Sequence, residues 1–223
     1  MIFSFHDEAG AGELILKGEN YKYLIKVRRH QLGDMIALRQ RENSEILYRY
    51  QLKSIDGRKA LLGLNSSELY PVKAEKELHI GWCVIDPKSI EKVLPQLNEA
   101  GVHQITFITC KRSQKNFKLD FERFERILET SSQQCGRSQK MLFQSSDSVS
   151  DFLIDYPQSA IFDFGGSAMK SSEHIDTVLV GCEGGFSEEE RQLFDTNFLF
   201  SFKSPMVLRS ESAVVAISVI ILI

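Results

Sequence analysis

No two of the four cysteines of this 223-residue chain stand close together: Cys83, Cys110, Cys135 and Cys182 form no CxxC pair. That is the spacing of reduced thiols in a cytosolic protein. His6, His30, His79, His103 and His174 are just as scattered and belong to no HExxH, so no metal site is expected. There is no GxGxxG and no Walker A pattern, which leaves a dinucleotide or P-loop nucleotide site without support. Residues 1–8 lack a basic stretch followed by an apolar one and do not read as a signal peptide. The most apolar run, residues 213–223, falls short of the roughly 20 residues that cross a bilayer and reads as a buried helix or strand. Internal repeats and low-complexity segments are missing too. What remains is a soluble protein without metal or membrane.

Hydrophobic residues make up 43% and charged residues 26%, enough for one large core or two small ones. The net charge of −3 speaks against indiscriminate binding of polyanions, but it averages over an asymmetry. Residues 1–70 carry 11 Lys and Arg against 9 Asp and Glu, and residues 111–140 carry 8 against 4, whereas 71–223 as a whole carry 16 against 21. Two local basic patches on a mildly acidic body suit one particular RNA site.

The halves differ in texture. In residues 1–70, short β-rich runs cover 14–16, 35–38, 46–52 and 60–64, with Asp56-Gly57 as a hairpin turn and Gly33-Asp34 as another turn. One helical stretch, Tyr21 to Arg29, interrupts them, which predicts a small β-barrel. The mostly polar run 65–77 reads as a linker. From residue 78, strand patterns at 78–85, 104–109, 159–163, 177–181 and 197–202, with a weaker one near 141–144, alternate with helix patterns at 89–100, 120–134, 187–195 and 210–221. Pro95 should kink the first of these helices, and Ser187 to Glu190 fits a capping box. This alternation predicts an α/β domain with a largely parallel sheet over 71–223.

Ligands of such sheets bind beyond the carboxyl ends of the strands. Three strand ends here run into Gly-rich or small-residue segments: Phe162 to Ser167, Val180 to Ser187 and Phe202 to Arg209. Glycine there lets main-chain groups approach a ligand without a Cβ in the way.

Gly181-Cys182-Glu183-Gly184-Gly185-Phe186-Ser187, with Glu190 after it, resembles the GPEGGF(S/T)xxE signature of the RsmE family, which methylates a uridine of 16S ribosomal RNA at N-3. Leu208-Arg209-Ser210-Glu211-Ser212-Ala213 resembles that family's LRxETA. Glu99-Ala100-Gly101-Val102, Arg112-Ser113 and Gln134-Cys135-Gly136-Arg137 resemble its ELGV, RS and EQxxR, and Val27-Arg28-Arg29 with Gly33-Asp34 resembles its VLRxxxGD. The resemblance runs through both halves in order. Departures are Cys182 for Pro, Ser212 for Thr, Gln96 for Lys, and Lys203 to Arg209 in place of LGxRILR.

The resemblance implies a SPOUT-type trefoil-knotted methyltransferase domain at 71–223 behind a PUA/OB-like β-barrel at 1–70. It also implies S-adenosylmethionine as cofactor, small-subunit ribosomal RNA within the 30S particle as partner, a homodimer and a cytoplasmic location. The cofactor residues it points to are Phe164, Gly165, Gly181, Glu183, Gly184, Gly185, Lys203, Val207 and Leu208. Arg209 is the candidate for stabilising charge on the reacting base, with an ion pair to Glu183 as its structural alternative. Glu211 is a candidate base or orienting group, and Ser210-Glu211 reads equally as a helix N-cap with an acidic first turn. Arg29, Lys111, Arg112, Lys115 and Arg137 are candidate RNA phosphate contacts, or simply solvated charge. Two other functions stay open: a non-catalytic RNA-binding assembly factor on the same fold, and a knotted ribose 2′-O-methyltransferase.

Overall fold

The computed structural model describes residues 3–114, 117–168 and 174–223. The chain divides into two compact units, Met1–Lys73 with Ser132–Gln139, and Ala74–Ser131 with Lys140–Ile223.

In the first unit, β1 (Ser4–Phe5), β2 (Glu13–Leu16), β3 (Met35–Arg39), β4 (Ile46–Asp56) and β5 (Lys59–Leu69) form one sheet in the order β1-β3-β4-β5-β2. All pairings are antiparallel except β1 with β3. Gly57, at φ +56°, makes the tight turn between β4 and β5 that Asp56-Gly57 predicts. Register shifts at Arg49/Tyr50 and Leu52/Ser54 bend the long β4–β5 ribbon into a half-barrel around Leu14, Leu38, Tyr50 and Leu62. Between β2 and β3, α1 (Gly18–Tyr21) widens into a π-helical segment, Lys22–Val27, that buries Leu24 and Ile25.

The polar run expected to begin a linker at residue 65 is strand as far as Leu69, where Ser66, Ser67 and Glu68 pair with Arg49, Tyr48 and Leu47. An antiparallel sheet tolerates polar residues on a solvated face, so polarity alone misread this stretch. Segment 132–139 is fastened by Ser138: its N–H donates to Val72 O (2.9 Å), and its carbonyl accepts from Ser44 Oγ (2.6 Å).

The second part of the chain gives β6 (His79–Cys83), α2 (Pro87–Ala100), β7 (Gln104–Ile108), α3 (Phe121–Cys135), β8 (Leu142–Ser146), α4 (Val149–Asp155), β9 (Ala160–Ala168), β10 (Thr177–Val180), α5 (Glu188–Arg191), β11 (Leu199–Ser201) and α6 (Ser210–Leu222). Six strands form an all-parallel sheet in the order β11-β9-β10-β6-β7-β8. Every residue of β6 is buried, as a strand covered on both faces requires. The core gathers Trp82, Phe107 and Phe124 with Leu94 and Leu97 of α2 and Val214 and Ile217 of α6. This α/β fold, preceded along the chain by a smaller β-rich unit, is the architecture the sequence predicts.

α2 carries Pro95 within it and ends at Ala100 as expected, closing on Gly101, left-handed at φ +100°. Other details differ from expectation. α4 escaped the periodicity reading because seven residues, with only Val149 and Phe152 buried, show too little of a repeat. β9 continues to Ala168 because β11 pairs with Ser167 and Ala168, a partner no local pattern reveals. The helix expected at 187–195 is the single turn α5.

After β8 the chain crosses back so that β9 and β10 lie on the other side of β6. The switch point of the sheet, where open parallel sheets place their ligands, therefore falls between β6 and β10.

Candidate active site

At the carboxyl ends of β9 and β10, and against the segment after β11, lies a cleft of about 570 Å³. Phe162 to Gly165, the stretch from Val180 to Phe186 and much of 201–210 line it, so the three segments singled out by sequence meet. Three of the lining residues, Gly165, Gly181 and Gly185, are glycines. A Cβ at Gly181 would lie 3.2 Å from the Phe186 ring and 3.4 Å from Gly185 Cα, and Gly185 sits at φ +65°. At Gly166 a Cβ would fall 2.6 Å from the Phe200 carbonyl carbon, so the close approach of β9 and β11 requires glycine.

Hydrogen bonds hold these loops in place. Ser187 and Glu190 make the predicted capping box, and the buried Glu190 carboxylate accepts from Ser187 N and, through Oε1, from Lys111 N, both at 2.8 Å. Arg112 Nη1 donates to Gly184 O at 2.7 Å. Arg191 Nε donates to Asp163 Oδ2 at 2.7 Å; the nearly buried carboxylate raises the guanidinium pKa through that bond. Ser210 Oγ donates to Gly181 O at 2.6 Å and accepts from Trp82 Nε1 at 2.8 Å. One hydroxyl thus ties the start of α6 to both β10 and β6.

Of the residues expected at a cofactor, Phe164, Gly165, Gly181, Glu183, Gly185, Val207 and Leu208 line the cleft. Gly184 faces the Arg112 side chain instead, 3.3 Å from where its Cβ would be, and Lys203 is exposed outside the lining. Arg209 is an exposed part of the wall, and no described residue forms an ion pair with it, so the pairing with Glu183 is not made. Ser210 is not the N-cap of α6: Arg209 holds that position, and Ser210 is the first helical residue. Glu211 lies in the first turn, half-buried and outside the lining.

The expected RNA contacts separate. Lys111 and Arg112 are exposed after β7, and Arg29 is exposed on the first unit in a left-handed conformation, φ +60°. That conformation is costly for a residue with a side chain. Lys115 lies outside the described residues. Arg137 requires a correction: it is only 4% exposed, and burial pulls its pKa down to about 10. A guanidinium inside the protein does not meet a phosphate, and its place after α3 makes it part of the fold.

Sequence reasoning missed the pairing of Asp163 with Arg191 across 28 positions and that of Ser210 with Trp82, 128 positions away. Only the Gly-rich context of Asp163 hinted at a role. As a whole the site offers an apolar concavity edged by peptide groups, an acidic lip at Glu183, a cation at Arg209 and the N-terminal end of the 13-residue α6.

Comparison with known proteins agrees with this architecture. The sequence profile of the RNA methyltransferase domain family matches residues 72–222. The chain is 37% identical over 222 residues to the ribosomal RNA small subunit methyltransferase E of Helicobacter pylori, covering 98% of each. A namesake in Aquifex aeolicus is 29% identical over 142 residues, 60% of this chain and 62% of that one. Two solved structures share the fold. The ribosomal RNA small subunit methyltransferase E of Neisseria gonorrhoeae bound to S-adenosyl methionine superposes with a TM-score of 0.75 at 16% identity, covering 98% of this chain and 95% of that one. A Legionella pneumophila protein in complex with SAM gives 0.74 at 22% identity with the same coverages.

Proposed function

The chain belongs to the ribosomal RNA small subunit methyltransferase E family, and on that premise we propose that it transfers the methyl group of S-adenosylmethionine to N-3 of a uridine in small-subunit ribosomal RNA. The observation that carries this reading is the convergence of three strand-end segments on one cleft beyond the carboxyl ends of β9 and β10. Its volume is within the range of roughly 300–1,000 Å³ typical of small-molecule sites.

The residues present fit the cofactor. Phe164, Leu208 and Ala213 offer apolar surface to an adenine ring, and Gly165, Gly181 and Gly185 leave peptide groups accessible to its polar edges. Glu183 would offer a negative charge to a donor that is a sulfonium cation. When bound, the donor supplies the activated methyl; the protein supplies position and electrostatics.

Uracil N-3 is a poor nucleophile until its proton leaves, and the resulting negative charge spreads onto the flanking carbonyl oxygens. Arg209 and the positive end of the α6 dipole, side by side at the cleft, stabilise that charge. Glu211, one residue into the helix, is the nearest candidate to accept the proton or to orient Arg209. Its position outside the lining favours orientation. Lys111 and Arg112 would hold the RNA backbone beside the cleft, with Arg29 on the first unit as a further contact. The target base has to be splayed from its stack to reach the methyl. This reading takes the active form as a cytoplasmic homodimer acting on the 30S subunit.

The test pairs Arg209→Ala with calorimetry and a methylation assay on 30S subunits. Cofactor affinity should stay within a few-fold while turnover falls by about 10²–10³. Unchanged turnover would remove Arg209 from the mechanism. Mass mapping of the product RNA separates a base methyl from a ribose methyl, and a wild-type chain that binds no S-adenosylmethionine would make this a non-catalytic factor.

A further inference from the structure

Three thiols that sequence scatters meet at the carboxyl ends of neighbouring strands. Cys83 ends β6, Cys110 follows β7 and Cys182 follows β10, with β6 between the other two in the sheet. They are 0%, 4% and 6% exposed. Cys110 Sγ lies 3.5 Å from Cys182 Sγ and 3.1 Å from Ser113 Oγ. Among the described residues no cluster suited to a metal ion exists, so the thiols are not gathered for that purpose. The mechanism above does not use them.

We propose that Cys110 and Cys182 form a modification site, joined into a reversible disulfide by hydrogen peroxide and reopened by thiols, and that the bond distorts the cleft wall. A disulfide needs its sulfurs about 2.05 Å apart, so closure asks for a movement of about 1.5 Å from the present contact. Both residues sit just beyond their strands, where the main chain can shift without breaking the parallel ladder. Cys83 is different: it is paired within the sheet with Ile108 and fully buried, so bonding to it would drag β6 out of register.

The chemistry has a defined order. The contact with Cys182 holds the Cys110 thiol well below the ordinary range, with Cys83 and Ser113 adding to the effect; the same contact pushes Cys182 up. Of the two, Cys110 is the easier to deprotonate and is the sulfur that attacks first. It attacks the peroxide oxygen, the O–O bond breaks, and the departing hydroxide takes up a proton as water, leaving a sulfenic acid at Cys110. The Cys182 sulfur then attacks that sulfenic sulfur, the S–O bond breaks, and the hydroxyl leaves as water with the Cys182 proton. Two thiols and one peroxide become one disulfide and two waters. Cys182 itself lines the cleft, which gives a small oxidant its way in.

The consequence for the cleft rests on the proposed function. Cys182 begins the 182–185 turn, whose Gly185 N donates to Cys182 O at 2.9 Å, and its Sγ contacts Gly185 O at 3.6 Å. Drawing that sulfur towards Cys110 pulls Gly181 to Gly185 away from the ligand, and a displacement of about 1 Å at such a wall is enough to lower cofactor affinity about tenfold or more.

The experiment treats the full chain with hydrogen peroxide, alkylates the remaining thiols and digests with trypsin, which places the four cysteines in four different peptides. The expected product is peptide 93–111 linked to peptide 171–191, two hydrogens lighter than their sum and released by dithiothreitol. Calorimetry with S-adenosylmethionine should show the affinity loss in the oxidised chain, its recovery on reduction, and no effect of peroxide on Cys110→Ser. A chain with no linked peptide, with Cys110 linked to Cys83, or with an affinity untouched by the link overturns the proposal. If the reduced chain binds no cofactor, the functional reading fails while the linked peptide still establishes the modification.

Discussion

Replacing Ser210 by alanine should cost the protein about 2 kcal/mol, and the reason is a single indole N–H. Trp82 is 0% exposed, and its Nε1 donates to Ser210 Oγ at 2.8 Å. Without that oxygen the donor stays buried with nothing to bind, a penalty of about 1–3 kcal/mol. The other partner, Gly181 O, faces the cleft, where water can replace the lost donor, and adds little. For a chain of this size the expected change is a fall of about 4–8 °C in Tm. Melting and urea unfolding followed by far-UV circular dichroism would measure it. The decisive comparison is a cycle with Trp82→Phe, which removes the donor: in that background Ser210→Ala should cost about 1 kcal/mol less. An equal cost in both backgrounds, or a loss below about 0.5 kcal/mol in the wild type, would refute the argument.

His79 gives a pH test. Burial, with a smaller push from His103, lowers its pKa from 6.5 to about 4, and its Nε2 meets Thr106 Oγ1 at 2.8 Å. Between pH 4 and 6.5 the unfolded chain binds this proton and the folded one does not, so stability falls as pH drops through that window, by up to about 3 kcal/mol. His79→Gln should flatten the dependence in urea titrations at pH 4.5 and 6.5; an unchanged slope would show that other groups cause it. For RNA, Lys111→Ala should weaken binding about equally across sequences and reduce the salt slope by about 1. Arg137→Ala should instead lower Tm while leaving that slope alone, and a reversal of these two outcomes would contradict the assigned positions.

What sequence could show was governed by range. Strand alternation, the Gly57 turn and the capping box at Ser187 are written in residues a few positions apart, and they appear where expected. Gly181 and Gly185 alone read equally as a tight turn, and only the family resemblance pointed them at a ligand; both line the cleft. The charge on Arg137 said nothing of its burial, since a cation on a helix end looks the same in sequence whether it faces water or not. The meeting of Cys110 with Cys182, 72 positions on, depends on strand order, as does the Asp163–Arg191 pair. Strand order follows from how the whole sheet is wound, which no window of residues contains.

The cleft wall at Gly165, Gly181 and Gly185 has one more implication, for drug resistance. A peptide unit cannot be exchanged by a codon change. On the proposed function, an inhibitor that takes its polar contacts from these three stretches of main chain would leave the cell few escape mutations, because a side chain added there would meet the cofactor as well as the drug.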